Sequence, residues 1–294
     1  MWQALHAELS PLGSDVVTIA LDSDPTLAYP WMDAAASSHV APIDRGHLTG
    51  SLLGLVNVPM AIWVDANGNI VRPAEAAYIT PNSLKGKPLP EGLPERINGR
   101  LELVQQFPDA HEDYLAAIRD LAANGSQSPF ALSPEEVIAR SQPVNADAAR
   151  AGACFELGQH LYTTAATATA ESGLNSTGLS AARLNTAGLN TAGLDAATPW
   201  WREAHSLGPN NWAYRRQAWS LTTTAPGQPA DLIQEPTDRF EGNWLDDLLA
   251  SGTDTYYAPS PESDQTAKQP GFRIDWRKSS SGTAKTSTRL AKEQ

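Results

Sequence analysis

Pro59 and the Asn67-Gly68 pair leave the stretch LVNVPMAIWVDANGNIVRP (residues 55–73) few ways to fold. Proline carries no backbone donor and has φ locked, so it cannot sit inside a central ladder; Val58-Pro59 marks a bend in front of a strand. Bends of this kind are where cis X-Pro bonds are found. Asn and Gly both tolerate positive φ, which makes Asn67-Gly68 a two-residue hairpin corner. The spacing predicts strands over residues 60–65 and 69–72.

Upstream, MWQALHAEL places Trp2, Leu5 and Leu9 at helical spacing, and Ser10-Pro11-Leu12-Gly13 breaks the helix. VVTIALD (16–22) is short, β-branched and apolar on both faces, the pattern of a buried parallel strand. Asp24-Pro25 opens a helix, APIDRGHLTGSLLGL supplies another short element and helix, and the hairpin follows. That order belongs to an α/β layered domain. Beyond Pro73, a Pro/Gly-rich loop leads to a helix over residues 97–123, interrupted at Phe107-Pro108 and ended by Asn124-Gly125. Ser133-Pro134-Glu135-Glu136 starts another, with a capping Ser, Pro at the first helical position and acids in the first turn.

From Ala148 the texture changes. AARAGACFELGQHLY reads as the first helix of a tetratricopeptide unit, and ATPWWREAHSLGPNNWAYRRQAWSL as its second helix, a turn and the next helix. Between them, residues 173–197 parse as five pentads, GLNST, GLSAA, RLNTA, GLNTA and GLDAA. A solenoid coil is stable only when stacked on neighbours, so this short run predicts an insert in the inter-helix loop, flexible or weakly helical. A short amphipathic helix is expected around Trp244, Leu245 and Leu248, and beyond Pro261 the Ser-, Thr-, Lys- and Gln-rich chain reads as disordered.

A net charge of −12 and a pI near 4.9 argue against nucleic acid as a partner, since phosphate contacts need clustered Lys and Arg. No run is long and apolar enough to span a membrane. MWQALHAEL lacks the charged start and apolar middle of a signal peptide. One cysteine, Cys154, makes no intrachain disulfide. The expectation is a cytoplasmic protein without a membrane partner.

With VVTIALD, Val58-Pro59 and AIWVDANGNIV together, the first 80 residues resemble the thioredoxin-like superfamily in its ResA/TlpA branch. The whole chain is similar to actinobacterial ResA-like proteins, some of them predicted selenoproteins, that carry a tetratricopeptide-like C-terminal part. FELGQHLY, PWWREAH, NNWAYRRQAWSL and YYAP carry this longer match. The resemblance implies thiol- or selenol-based redox chemistry at the start of a first helix that follows a first strand. It also implies that MWQALHAEL is the remainder of that helix, so the motif and the central strand between VVTIALD and AIWVD are missing. Each buried unmet backbone group would cost about 1–3 kcal/mol, against a typical stability of about 5–15 kcal/mol. Two alternatives stay open: a redox-inactive homologue acting through protein binding, or an oxidoreductase whose N-terminal active site is lost by start misassignment. Whether the chain is an enzyme is open with them.

The expected organisation is a truncated thioredoxin-like α/β domain (1–80), a loop and helical extension (81–143), and all-α tetratricopeptide-like helices (144–221) with the pentad insert 173–197. A short helical element (222–258) and a disordered tail (259–294) follow.

No catalytic residue, metal or cofactor is expected. Cys154 lies mid-helix among small residues, away from the helix N-terminus that would favour a thiolate, and reads as a buried structural thiol. His39 and His47 flank Asp44 without a compact metal pattern, and His111-Glu112 has Leu115 where a zinc motif needs its second His. The resemblance implies that Val58, before Pro59, offers its backbone to an extended peptide, a strand-addition contact that needs no thiol; a purely structural bend is the other reading. Trp200, Trp201, Trp212, Tyr214, Arg215, Arg216 and Trp219 form a dense cluster. Tryptophan at helical spacing reads first as core, and Trp212 and Trp219, seven apart, are expected to face inward; the other reading is a peptide-binding surface of Trp200, Trp201, Arg215 and Arg216, with the two arginines as its exposed members. Proteins or peptides are the expected partners.

Overall fold

A computed structural model describes residues 1–107, 109–141, 144–173, 181–222, 239–252 and 256. The described chain divides into two compact units: Ala77–Ala131, and a larger one joining Trp2–Ala76 to the described residues between Leu132 and Tyr256. The stretch expected as a truncated 1–80 domain thus shares its unit, as far as Ala76, with the later helices. The N-terminal elements share buried polar contacts with the later helices, described below, and these join the two stretches.

In the larger unit, α1 (Trp2–Leu9) buries Leu5 and Leu9. β1 (Ala20–Leu21), α2 (Pro25–Ala35) and β2 (Ile43–Asp44) form a parallel βαβ unit with Ala20 opposite Ile43. α2 starts where it does because Asp24 accepts the Thr26 N–H at 3.0 Å and Pro25 needs no donor in the first turn. α3 (Leu48–Leu53) leads through the Val58–Pro59 peptide, which is cis, into the hairpin of β3 (Met60–Val64) and β4 (Ile70–Ala76).

The hairpin corner is longer than expected. Asp65 N–H donates to the Asn69 carbonyl at 2.9 Å and Gly68 N–H to the Asp65 carbonyl at 3.0 Å, enclosing three residues with Gly68 at φ 85°. The Asp65 carboxylate explains the longer loop: it accepts the Asn67 and Asn69 N–H groups at 2.9 and 2.8 Å, an Asx-type closure that a two-residue corner cannot make. The run at 16–22 also departs from expectation. Only Ala20 and Leu21 enter a ladder, and Val17 and Ile19 are 56% and 39% exposed, so it is not buried on both faces. The two sheets have two strands each, and β1 and β3 do not pair.

In Ala77–Ala131, α4 (Glu95–Gln106) and α5 (His111–Asn124) take the place of the interrupted helix, and Gly125 at φ 53° follows the end of α5. Pro108 lies outside the described residues. Leu103, Tyr114 and Ala117 are buried in this unit. Back in the larger unit, Ser133 and Glu136 close a capping box at 3.2 and 2.8 Å that starts α6 (Pro134–Arg140).

α7 (Ala146–Gly173) and α8 (Ala181–Leu207) run antiparallel: Arg150 pairs with Glu203, Gly158 lies against Trp201, and Gly193 against Tyr162. The pentads are thus only partly the loop insert expected. Residues 174–180 lie outside the described residues, whereas 181–197 belong to α8, where Leu194 and Ala197 are buried. The last pentad opens with glycine for a packing reason: a Cβ on Gly193 would sit 3.0 Å from the Tyr162 carbonyl oxygen. Gly158 is more constrained still, since its Cβ would lie 2.6 Å from the Trp201 indole. Gly158→Ala is therefore expected to lower stability by about 1–3 kcal/mol despite alanine's better helix propensity, measured as a fall in the urea midpoint. An unchanged midpoint would mean that the helices do not approach this closely.

α9 (Trp212–Thr222) is the hub of the larger unit, with eight of its eleven residues buried, so it is enclosed on nearly every side rather than along one stripe. α10 (Trp244–Ser251), started by Asn243 accepting the Asp246 N–H at 3.0 Å, packs near it with Trp244 and Leu248 buried. The expected tail at 259–294 lies outside the described residues.

Candidate functional site

The segment before β3 is held from two sides. The Val56 carbonyl accepts the Ala213 N–H of α9 at 3.0 Å. Asn57, fully buried, donates from Nδ2 to the Tyr256 carbonyl at 2.8 Å, and its Oδ1 accepts the Val58 N–H at 2.8 Å. The Val58 side chain is 40% exposed. So Val58 is accessible at its side chain, while the N–H expected to meet a peptide is already bonded within the chain.

A buried polar network joins the βαβ unit to the helices. The Gln217 Oε1 on α9 accepts the Ser23 N–H at 3.2 Å and lies 3.2 Å from His47 Nε2, and Gln159 on α7 donates to Ser23 Oγ. Because Oε1 accepts from a backbone N–H, His47 Nε2 must carry the proton, and its buried Nδ1 has no partner among the described residues. Burial pushes the His47 imidazole below its ordinary value of 6.5, against the pull of Gln217 and Asp44. Neither Gln159 nor Gln217 stood out in the sequence, because glutamine within a helical pattern reads as a solvated position. The signal was Gln217 lying two residues before Trp219 in a helix too rich in tryptophan to have a solvent face.

The aromatic–basic cluster is largely core. Trp201, Trp212 and Trp219 are 1%, 0% and 1% exposed, and Arg215 is 6% exposed, its guanidinium 5.2 Å from the Trp212 ring and 5.0 Å from that of Trp219. Arg215 Nη2 meets Asp247 Oδ2 on α10 at 2.6 Å. Arg216 is half-buried, over the ring of Tyr256 at 5.6 Å and bonded to its hydroxyl. The expected inward face of Trp212 and Trp219 is present, but the peptide-binding surface drawn from Trp200, Trp201, Arg215 and Arg216 is not a surface. Trp201 is buried because α8 packs on α7, its indole against Gly158 and Tyr162, and Arg215 because α10 brings Asp247 over it; of the four, Trp200 alone is exposed, to 39%.

The remaining candidates separate. His39 Nε2 faces Thr18 Oγ1 at 3.0 Å, while Asp44 accepts from the Thr49 N–H and hydroxyl at 2.7 and 2.6 Å, so neither joins His47 in a ligand set. Among the described residues no group of His, Cys, Asp and Glu could hold a metal ion. Cys154 is half-buried on α7, not fully buried as expected. His111 Nδ1 lies 3.0 Å from the Tyr78 carbonyl oxygen, beside a cleft of about 240 Å³ lined by Pro81, Asp109 and the first turn of α5. No helix among the described residues is long and apolar enough to cross a membrane.

No protein-family model, curated protein or solved structure matches this chain.

Proposed function

We propose that the protein is redox-inactive and acts by binding other polypeptides, taking up an extended segment as an added strand. The observation that carries this reading is the open edge of the run leading into β1. Thr18 and Ala20 donate to the Val40 and Pro42 carbonyls at 3.1 and 3.0 Å, whereas the backbone groups of Val17 and Ile19 have no backbone partner among the described residues. Both side chains are exposed and apolar, which suits a ligand of alternating pattern. A thioredoxin-like arrangement of the ResA/TlpA kind is the frame for this proposal, supported by the parallel βαβ unit followed by an X-Pro step into an antiparallel hairpin, with tetratricopeptide-like helices behind. Thiol chemistry has no support in the described residues, since Cys154 sits in mid-helix. The acidic charge points away from nucleic acid, and a cytoplasmic setting fits a chain with one cysteine.

The test uses a reduced, carboxymethylated unfolded protein as probe, with binding read by fluorescence anisotropy. Ile19→Pro removes an N–H that has no backbone partner among the described residues, so binding is expected to weaken about tenfold with Tm unchanged, as for one lost main-chain bond, while Ile19→Val retains it. Failure of the native chain to bind, or equal binding by Ile19→Pro, rejects the reading.

A further inference from the structure

We infer that the open edge at Val17 and Ile19 selects polypeptide segments whose alternating apolar residues are flanked by lysine or arginine. The inference rests on the polypeptide-binding reading and adds the chemistry of the partner. The edge offers main-chain bonds to any extended segment, and the side chains beside it decide which segment stays. With the Thr18 and Ala20 N–H groups spent on the Val40 and Pro42 carbonyls, the run follows β2 as a strand does, and alternate side chains share a face. Asp15, Val17 and Ile19 are the exposed set, while Val16, Thr18 and Ala20 are half-buried. An added strand therefore sets its own side chains beside an acid and two apolar groups in a row.

The Asp15 side chain is 68% exposed. Its Oδ1 accepts the Val16 N–H at 2.7 Å and lies 3.1 Å from His6 Nε2, a contact that either charge state of the imidazole makes. Beyond Leu21 the run leads into Asp22 and Asp24, whose carboxylates accept the Asp24 and Thr26 N–H groups at 3.1 and 3.0 Å. Arg45, donating to the Ser23 carbonyl at 3.4 Å, offsets one of these two charges. The first 76 residues hold eight acids against two arginines and no lysine, and the second arginine, Arg72, is buried against Glu75. An incoming Lys or Arg thus meets an acid at either end of the edge, and an incoming Asp or Glu meets repulsion, whichever way the segment runs. The same charges weigh against a second copy as the occupant. Antiparallel pairing of two chains about Ile19 would bring Asp15 of each toward the Asp22–Asp24 turn of the other, like charge on like.

The test reads the fluorescence anisotropy of two labelled peptides with the full chain at low ionic strength. Both have the same alternating valine–threonine centre; one carries lysines at both ends, the other glutamates. The native chain is expected to bind the lysine-flanked peptide about tenfold more tightly, a preference that shrinks with added salt. Asp15→Asn keeps an oxygen for the Val16 N–H but loses the charge, and is expected to cut the preference about threefold. Asp147→Asn, which removes an equal charge from the exposed start of α7, is expected to leave it unchanged. Ile19→Pro is expected to weaken the lysine-flanked peptide about tenfold. A preference that Asp147→Asn lowers as much as Asp15→Asn does, or lysine-peptide binding that survives Ile19→Pro, places the selection in overall charge and overturns the inference. Self-association of the native chain in sedimentation, lost in Ile19→Pro, gives the edge to a second copy and overturns it too. Equal binding of the two peptides overturns it while the polypeptide-binding reading stands; binding of neither rejects that reading and the inference with it.

Discussion

Asp247→Ala is expected to remove about 3–5 kcal/mol of folding stability, the usual cost of taking one partner from a buried ion pair and leaving the other charge unmatched. The Arg215 and Asp247 side chains are 6% and 21% exposed, and their nearest atoms are 2.6 Å apart. Burial pushes Arg215 down to about 10 and Asp247 up from its ordinary value, the loss of water outweighing their mutual attraction in both. The pair therefore matters through what its disruption leaves behind. Between Trp212 and Trp219, an Arg215 without its carboxylate keeps, among the described residues, only ring faces, each worth about 2 kcal/mol and neither a hydrogen-bond acceptor of carboxylate strength. The double change Arg215→Met with Asp247→Leu should consequently lose far less than Asp247→Ala alone. Gly242 belongs to the same arrangement: its φ is +85°, and a Cβ there would stand 2.7 Å from Asp247 Oδ2 and 3.4 Å from Arg215 Nη2. Urea unfolding of the three chains checks this, and a loss below about 1 kcal/mol for Asp247→Ala would show that water already shields the pair.

What could be read from the sequence was what depends on neighbours within a few residues. Asp24-Pro25, Ser133-Pro134 and Asn124-Gly125 mark helix ends in the structure because capping is local chemistry. The hairpin was legible for the same reason, though its corner was not, since the Asp65 carboxylate competes with the Asn-Gly preference from just outside the turn. The candidate site was harder. Arg215 was expected at the surface because guanidinium groups are rarely buried, and only α10, some thirty residues further on, supplies the carboxylate that allows it. Asn57 carried no signal, because its partner is a backbone carbonyl 199 positions away and any residue could provide one. The pentads misled in the other direction: a repeat reads as uniform, yet in this one the last glycine and leucine are packed.

Acid should weaken the larger unit before its carboxylates dominate, with His205 the main cause. Burial, and then the charge of Arg215, push this imidazole from 6.5 down to about 4, with Glu241 pulling the other way. Its Nδ1 is buried with no hydrogen-bond partner among the described residues, and its ring faces Phe240 at 6.3 Å, so an added proton finds no acceptor there. In the unfolded chain His205 takes a proton as pH falls through 6.5; in the folded one it does so only near 4. Between these values the unfolded state binds more protons, so stability is complete above 6.5 and declines as pH falls toward 4. The full shift corresponds to roughly 3 kcal/mol, an upper figure because the ring is only half-buried and water screens part of the effect. His47 acts in the same direction, its folded value also being lowered by burial. Asp22 and Asp247 oppose both at the acid end: burial raises their folded values, so they gain stability as pH falls through those values. Comparing native protein with His205→Gln by urea unfolding at pH 7 and pH 5 isolates the histidine, because the carboxylates are common to both chains. The native chain should lose stability between these two pH values and His205→Gln should lose measurably less; equal losses would place the acid sensitivity elsewhere, with His47 in its network with Ser23 and Gln217 the next group to substitute.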